Sequence, residues 1–190
     1  MNMTQVYTAP KDVEVAGSTT LSFVDNLESV TISDLRQKHG FTQVDVARWY
    51  PLQSVFNLFN AIAEQYGTQP FVAMGMKIAQ QSEFPPEMLG SVLSLAQVLE
   101  GWQAHYEANH RGGTLPPTKT VKLADNHYQI VLAPDHAYPF DLVYGMAYGF
   151  CRLLLPKGQG FTVYYEDNHS PIKRNSPEDE VIVNITWANT

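Results

Sequence analysis

The sequence predicts an α+β domain, with a helical N-terminal half packed on an antiparallel sheet of about four strands. Two observations carry this expectation. Apolar residues recur at three- and four-residue steps through residues 51–111, the period of helices that bury one face. Beyond residue 118 the pattern changes to short segments rich in Val, Ile, Tyr and Trp, with one further apolar helix between two hairpins. A doubly wound nucleotide fold requires strands and helices in alternation, and that alternation is absent.

Residues 1–18 are polar and unpatterned, with Pro10 and Gly17, and read as a flexible arm or as one that orders on a partner. Residues 19–190 then form a single domain. The segment Leu21-Ser22-Phe23-Val24 reads as a short strand or a docked stretch. Ser33 can N-cap a short helix through Lys38, with Gly40 as its end. Pro51 suits a first helical turn. Leu52, Val55, Phe56, Phe59, Ile62 and Ala63 follow it as an apolar stripe, and Gly67 stops the run. A second helix is expected over 70–81, and a third from Pro85-Pro86 to about Arg111, ended by Gly112-Gly113. Segments 119–123 and 128–132 flank Asp125-Asn126 as a hairpin. Residues 138–155 read as an apolar helix closed by Pro156. Segments 160–165 and 181–187 are expected as strands that pair antiparallel, joined by a turn-rich stretch over 169–179.

Composition excludes several classes. At 190 residues, 44% hydrophobic and 16% charged, the chain suits one domain with a real core rather than wholesale disorder. A formal net charge of −7 argues against a nucleic-acid binder, which needs clustered Lys and Arg. The single Cys151 excludes an internal disulfide and a structural cysteine–zinc site, and no metal is expected. No window approaches the roughly 18–20 apolar residues of a membrane span. The N-terminus lacks the basic start and apolar stretch of a secretory signal, so a cytoplasmic protein is expected.

The common catalytic signatures are missing: Gly-x-Gly-x-x-Gly, a phosphate loop ending Gly-Lys-Ser/Thr, and Gly-x-Ser-x-Gly. Cys151 lies in an apolar helix, where a thiol is inert. His105 and His110 stand five apart on the predicted third helix, whereas two ligands on one helix face want a spacing of four. On that wheel Val92, Leu99 and Tyr106 mark the apolar face; His110 falls on it and His105 on its polar flank. The bland readings are a solvated His105 and a capping or partly buried His110. The four remaining histidines read as solvated, although His136 follows Pro134-Asp135 near the same region. An acid–base enzyme using His136 with Asp135 or Glu166 is the least supported class, for want of a nucleophile–base pair.

Gly145 and Gly149 stand four apart in the helix 138–155, where each costs about 1 kcal/mol against alanine. Something close must offset that: tight packing, or a ligand wall. The helical half is also rich in large rings and in methionine, a set that either fills a core or lines a cavity.

A wider pattern joins these elements. Tyr50-Pro51 leads into an amphipathic helix and then Tyr66-Gly67. Met74-Gly75 lies on the second helix. A long helix carries a histidine near its end and is followed by Leu115-Pro116-Pro117. A hairpin ends near Pro134, then comes PFDLVYGMAYGFCRLL (139–154), and two strands close the chain, FTVYYED (161–167) and VIVNITW (181–187). Over residues 45–187 this resembles the ligand-binding domain shared by heme–nitric-oxide/oxygen sensors, vinyl-reductase-type small-molecule-binding domains and acyl-binding transport-particle subunits. In the heme branch the resemblance makes His105 the match for the proximal histidine. It sets Tyr128, Ile130 and Leu132 against the Tyr-x-Ser-x-Arg propionate clamp, so the arginine is missing. The strands lack the cysteines of the vinyl-reductase-type branch, and Cys151 does not match the acylated position of the transport-particle branch.

The resemblance implies a non-enzymatic sensor or signalling domain that holds an apolar small molecule between helices. Its pocket is expected to use Phe56, Phe59 and Met74 from the first two helices and Trp102 and Tyr106 from the third. Tyr144, Gly145, Tyr148 and Gly149 would complete it from the helix 138–155. Signal would leave through the N-terminal arm or a dimer surface, so a homodimer or a protein partner is expected. The alternatives are a heme-based NO/O2 sensor with His105, or secondarily His110, as axial ligand, and a structural or assembly protein with a filled core. Heme is not favoured.

Overall fold

The computed structural model describes residues 6–25, 30–173, 176 and 178–188, with residues 30–32 as backbone. Its elements are β1 (Glu14–Ala16), α1 (Gly17–Val24), α2 (Val30–Lys38), β2 (Trp49–Pro51), α3 (Leu52–Tyr66) and α4 (Gln69–Gln81). A single 3-10 turn, Pro86–Met88, precedes α5 (Val92–Glu100), α6 (Trp102–Ala108) and β3 (His110–Arg111). Then come β4 (Thr118–Ala124), β5 (His127–Leu132), α7 (Phe140–Leu154), β6 (Phe161–Tyr165) and β7 (Val181–Trp187). The fold is α+β, as expected, with a four-stranded antiparallel sheet ordered β4-β5-β7-β6. The closing strands pair antiparallel from Phe161↔Trp187 to Tyr165↔Val183.

A second, three-stranded sheet goes beyond the expectation. Its order is β2-β1-β3, with Val15 opposite Tyr50 on one side and His110 on the other. This sheet corrects the reading of residues 1–18 as an arm, as far as residues 6–18 are described. Tyr7, Val13 and Val15 are buried in the N-terminal core beside Leu52, Phe56 and Phe71. The Asn60 side-chain amide also grips the Tyr7 backbone: Tyr7 N–H donates to its oxygen at 2.7 Å and its nitrogen donates to the Tyr7 carbonyl at 2.9 Å. Residues 21–24 belong to a helix, not a strand. Gly17 starts it, and its missing side chain makes room for the carbonyls of Asp45 and Arg48.

The third helix is corrected too. Gly90 adopts φ 70°, which breaks the chain direction, and Ser91 then caps α5 by accepting from Ser94 N–H at 3.4 Å. Gly101, at φ −82° and ψ −1°, divides α5 from α6. Ser33 lies inside α2 rather than at its cap, and Gly40 ends that helix with φ 79°.

The two halves are joined by α4 and α7, which pack together more extensively than any other pair of elements. Glycines make this possible. A Cβ on Gly75 would meet Leu142 O at 2.2 Å, and one on Gly145 would meet Val72 O at 2.2 Å. Against the other side of α7, residues Val143, Ala147, Cys151 and Leu154 bury themselves with Tyr128, Ile130, Val183 and Ile185 of the sheet.

Candidate functional site

A cavity of about 500 Å³ lies between the two halves, within the size range of small-molecule sites. One wall is α1, which presents Ser18, Thr19, Ser22 and Phe23. A second wall is α6 and its exit, with Trp102, His105, Tyr106, Asn109 and His110. Leu142, Val143, Met146 and Phe150 of α7 form an apolar floor, and Ile78 and Phe84 extend it at the end of α4. His136 and Tyr138 close the inner corner from the segment before α7. Around the mouth stand Gln81, Ser82 and Glu83. No lysine or arginine is among the described residues that line it.

The corner is a cluster of four rings built on two histidines. His110 Nδ1 lies 2.6 Å from the Tyr106 carbonyl, and only an N–H can bond there, so Nδ1 carries the proton. His110 Nε2 therefore accepts from the Tyr138 hydroxyl at 2.6 Å. Both nitrogens are engaged. By the same logic His136 Nδ1–H donates to the Tyr138 carbonyl at 3.1 Å, which leaves Nε2 as a bare acceptor. Among the described residues nothing bonds to that Nε2. Tyr106 stacks on His136 with centroids 5.7 Å apart, and its own hydroxyl is buried with no partner among the described residues.

Burial decides the charge of this cluster. It lowers the His136 pKa to about 4, against smaller opposing effects of the Tyr138 carbonyl and the Asp135 carboxylate. It lowers that of His110 as well, although the Tyr106 carbonyl favours the protonated ring. It pushes the Tyr106 and Tyr138 phenols well above their usual range. At neutral pH the corner is a set of uncharged donors and acceptors.

Of the residues expected to form a pocket, Trp102 and Tyr106 line this cavity. The other expected residues pack elsewhere. Phe56, Phe59 and Met74 fill the N-terminal core and sit behind the wall; Phe59 touches the lining Phe23 at 5.5 Å, and Phe56 touches Tyr138 at 5.2 Å. On α7 the cavity face is one step around from the expected one. Gly145 and Gly149 face α4, where a Cβ on Gly149 would lie 2.6 Å from Ala79 Cβ. Tyr144 and Tyr148 face β6: the Tyr144 hydroxyl donates to Val163 O at 2.9 Å, and Tyr148 packs on Phe161 at 5.1 Å. The glycines therefore serve helix packing rather than a ligand wall.

His136, which reads from sequence as solvated, is 6% exposed. His105 does reach the cavity but is exposed, with the Asn109 amide donating to its Nε2 at 3.2 Å. Glu166 accepts from Asn184 on the sheet at 2.6 Å and is not part of the lining, so it cannot serve His136. Cys151 is buried and its thiol is pushed up to about 12 by burial. Among the described residues no three His, Cys, Asp or Glu side chains gather as a metal site. No helix there is long and apolar enough to cross a membrane. Sequence reasoning misses the α1 wall and Tyr138; it sets His136, after Pro134-Asp135, near the same region but reads it as solvated rather than buried.

No protein-family model matches the chain, and no curated protein matches it. Solved structures do. An oxygen-binding H-NOX domain related to soluble guanylate cyclases, in its oxygen complex, aligns with a TM-score of 0.60 and 10% identity over 91% of this chain and 95% of its own. A protein solved for structural insights into the molecular mechanism of H-NOX activation aligns at 0.63 and 12%, over 92% and 97%. A protein whose heme redox potential is modulated through protein-induced porphyrin distortion aligns at 0.64 and 11%, over 91% and 95%. At these identities the likeness shows the fold alone: the chain has the fold of these H-NOX domains.

Proposed function

We propose that the chain is a sensor or signalling domain that binds an apolar small molecule in the cavity between α1, α6 and α7, and that it is not an enzyme. The observation that carries this reading is the cavity itself: about 500 Å³ with an apolar floor and aromatic walls. The reactive groups support binding over catalysis, since His110 has both nitrogens engaged and Cys151 is sealed in the core. The cavity also touches two elements that meet in one sheet. Strands β1 and β3 pair at Val15↔His110, and α1, which follows β1, and α6, which precedes β3, both line the cavity. A ligand that spreads these walls acts directly on the three-stranded sheet and on the N-terminal segment. A homodimer or protein partner would read that movement.

Heme, which the fold family implies, does not fit the residues present. Two propionates need a cation, and the described lining offers Glu83 instead. Ile130 and Leu132, at the clamp positions, are fully buried in the sheet core. His105 is the candidate for the iron, and the Asn109 amide, which donates to its Nε2, holds the ring.

The test is to extract small molecules from natively purified protein and from a Val143→Trp variant that fills the cavity. An apolar compound recovered with the parent and lost from the folded variant is the expected result. Equal recovery from both places the ligand elsewhere and refutes the reading.

A further inference from the structure

We infer that the cavity selects a neutral ring compound bearing a hydroxyl or N–H donor, which it recognises through His136 Nε2 and the Tyr106 hydroxyl. This deepens the proposed function and rests on it. Three observations point the same way. The walls are aromatic, with Phe23, Trp102 and Phe150 lining the cavity, and flat rings pack well against such surfaces. The described lining holds no lysine or arginine but does hold Glu83, so an anionic ligand finds no counter-charge and meets a like charge at the mouth.

The third observation concerns the two polar atoms left over. The Tyr138 carbonyl fixes His136 as the Nδ1–H tautomer, so its Nε2 presents a lone pair and no proton. A ligand must therefore bring the donor. The Tyr106 hydroxyl is buried without a partner among the described residues, and a polar group left in that state costs binding or folding energy until something satisfies it. A phenol or an aromatic amine donates its O–H or N–H to His136 Nε2, and a small turn of the Tyr106 ring, whose hydroxyl is sealed from the cavity as it stands, brings that hydroxyl onto the ligand's heteroatom. The neighbouring His110–Tyr138 pair cannot compete, because Tyr138 O–H is spent on His110 Nε2 and His110 Nδ1–H on the Tyr106 carbonyl.

The test uses three probes of one shape on the full chain by titration calorimetry: 2-naphthol, 2-methylnaphthalene and 2-naphthoate. The expected order is 2-naphthol first, about tenfold tighter than 2-methylnaphthalene, with 2-naphthoate weakest. Tyr106→Phe and His136→Phe, which keep the stacked rings, should each remove most of that preference while 2-methylnaphthalene binding persists. The ratio in the unaltered chain stands even if a variant fails to fold. Equal binding of 2-naphthol and 2-methylnaphthalene overturns the donor requirement and leaves the cavity reading intact. Tightest binding by 2-naphthoate overturns neutrality. Binding of none of the three overturns the cavity reading and this inference with it.

Discussion

Replacing Gly145 by alanine puts the α4–α7 seam under a direct load. The added Cβ would sit 2.2 Å from Val72 O and 3.0 Å from Val72 Cα, both backbone atoms of α4 that no rotamer change can move. Ordinary contact begins near 3.4 Å, so the helices must separate by about 1 Å along their tightest contact. Overpacking of this kind costs about 1–3 kcal/mol, and a backbone obstacle belongs at the upper end. Alanine recovers about 1 kcal/mol of helix propensity. The net loss is about 2 kcal/mol, or a Tm lower by about 4–8 °C for a domain of this size. Gly75→Ala meets Leu142 O at 2.2 Å and should behave alike. The double variant should lose less than the sum, because one separation of the helices relieves both clashes. Gly160, whose Cβ would meet nothing within 4 Å, is the control and should shift stability by no more than about 0.5 kcal/mol. Thermal melts by circular dichroism decide it. A Gly145→Ala variant that melts above the parent, or a fully additive double variant, refutes the seam as described.

Acid should weaken the fold through His136. Its pKa falls from 6.5 unfolded to about 4 folded, so its neutral burial costs nothing above pH 6.5 and stability drops as pH falls from there toward 4. Urea melts should show about 2 kcal/mol lost between pH 7.5 and 5.0 from this group, a loss missing in His136→Gln; His110, also lowered, adds in the same direction, and identical profiles for parent and variant count against it. Titration with hemin should give no sharp one-to-one Soret band, and a stoichiometric band that shifts on His105→Ala would show that the cavity holds heme without a cation for its propionates. Cys151 should react with Ellman's reagent only as fast as the fold opens, and rapid labelling of the native protein would contradict its burial.

What can be read from sequence is what depends on local period. The strand 181–187 is legible to the residue, and α3, α4 and α7 to within two, because an apolar stripe records burial wherever the covering element lies. The helix 85–111 fails for a local reason that is visible in the chain: Gly90 and Gly101 stand inside it, and each breaks the run. Face assignments on that expected helix assume one continuous wheel, so they refer the rings on α6 to the wrong axis.

The remaining differences share another cause. Strand β1 is three residues long, and its partners lie at 49–51 and 110–111, so no window of sequence contains the evidence that it is a strand. Yet that pairing is what puts the cavity together. It brings the start of α1 beside the end of α6, and Asn109 then ties the two: its backbone carbonyl accepts from Ala16 N–H at 3.0 Å, and Thr19 Oγ1 donates to its side-chain oxygen at 2.8 Å. The face that α7 offers is hidden in the same way. Its glycines show that something approaches closely but not what. Once α4 takes the glycine side and β6 takes Tyr144 and Tyr148, only Leu142, Val143, Met146 and Phe150 are left for the cavity. The site is therefore made of what the long-range contacts leave over. For that reason its polar corner, His136 and Tyr106 with unspent hydrogen-bonding capacity, is the place where a ligand has most to gain.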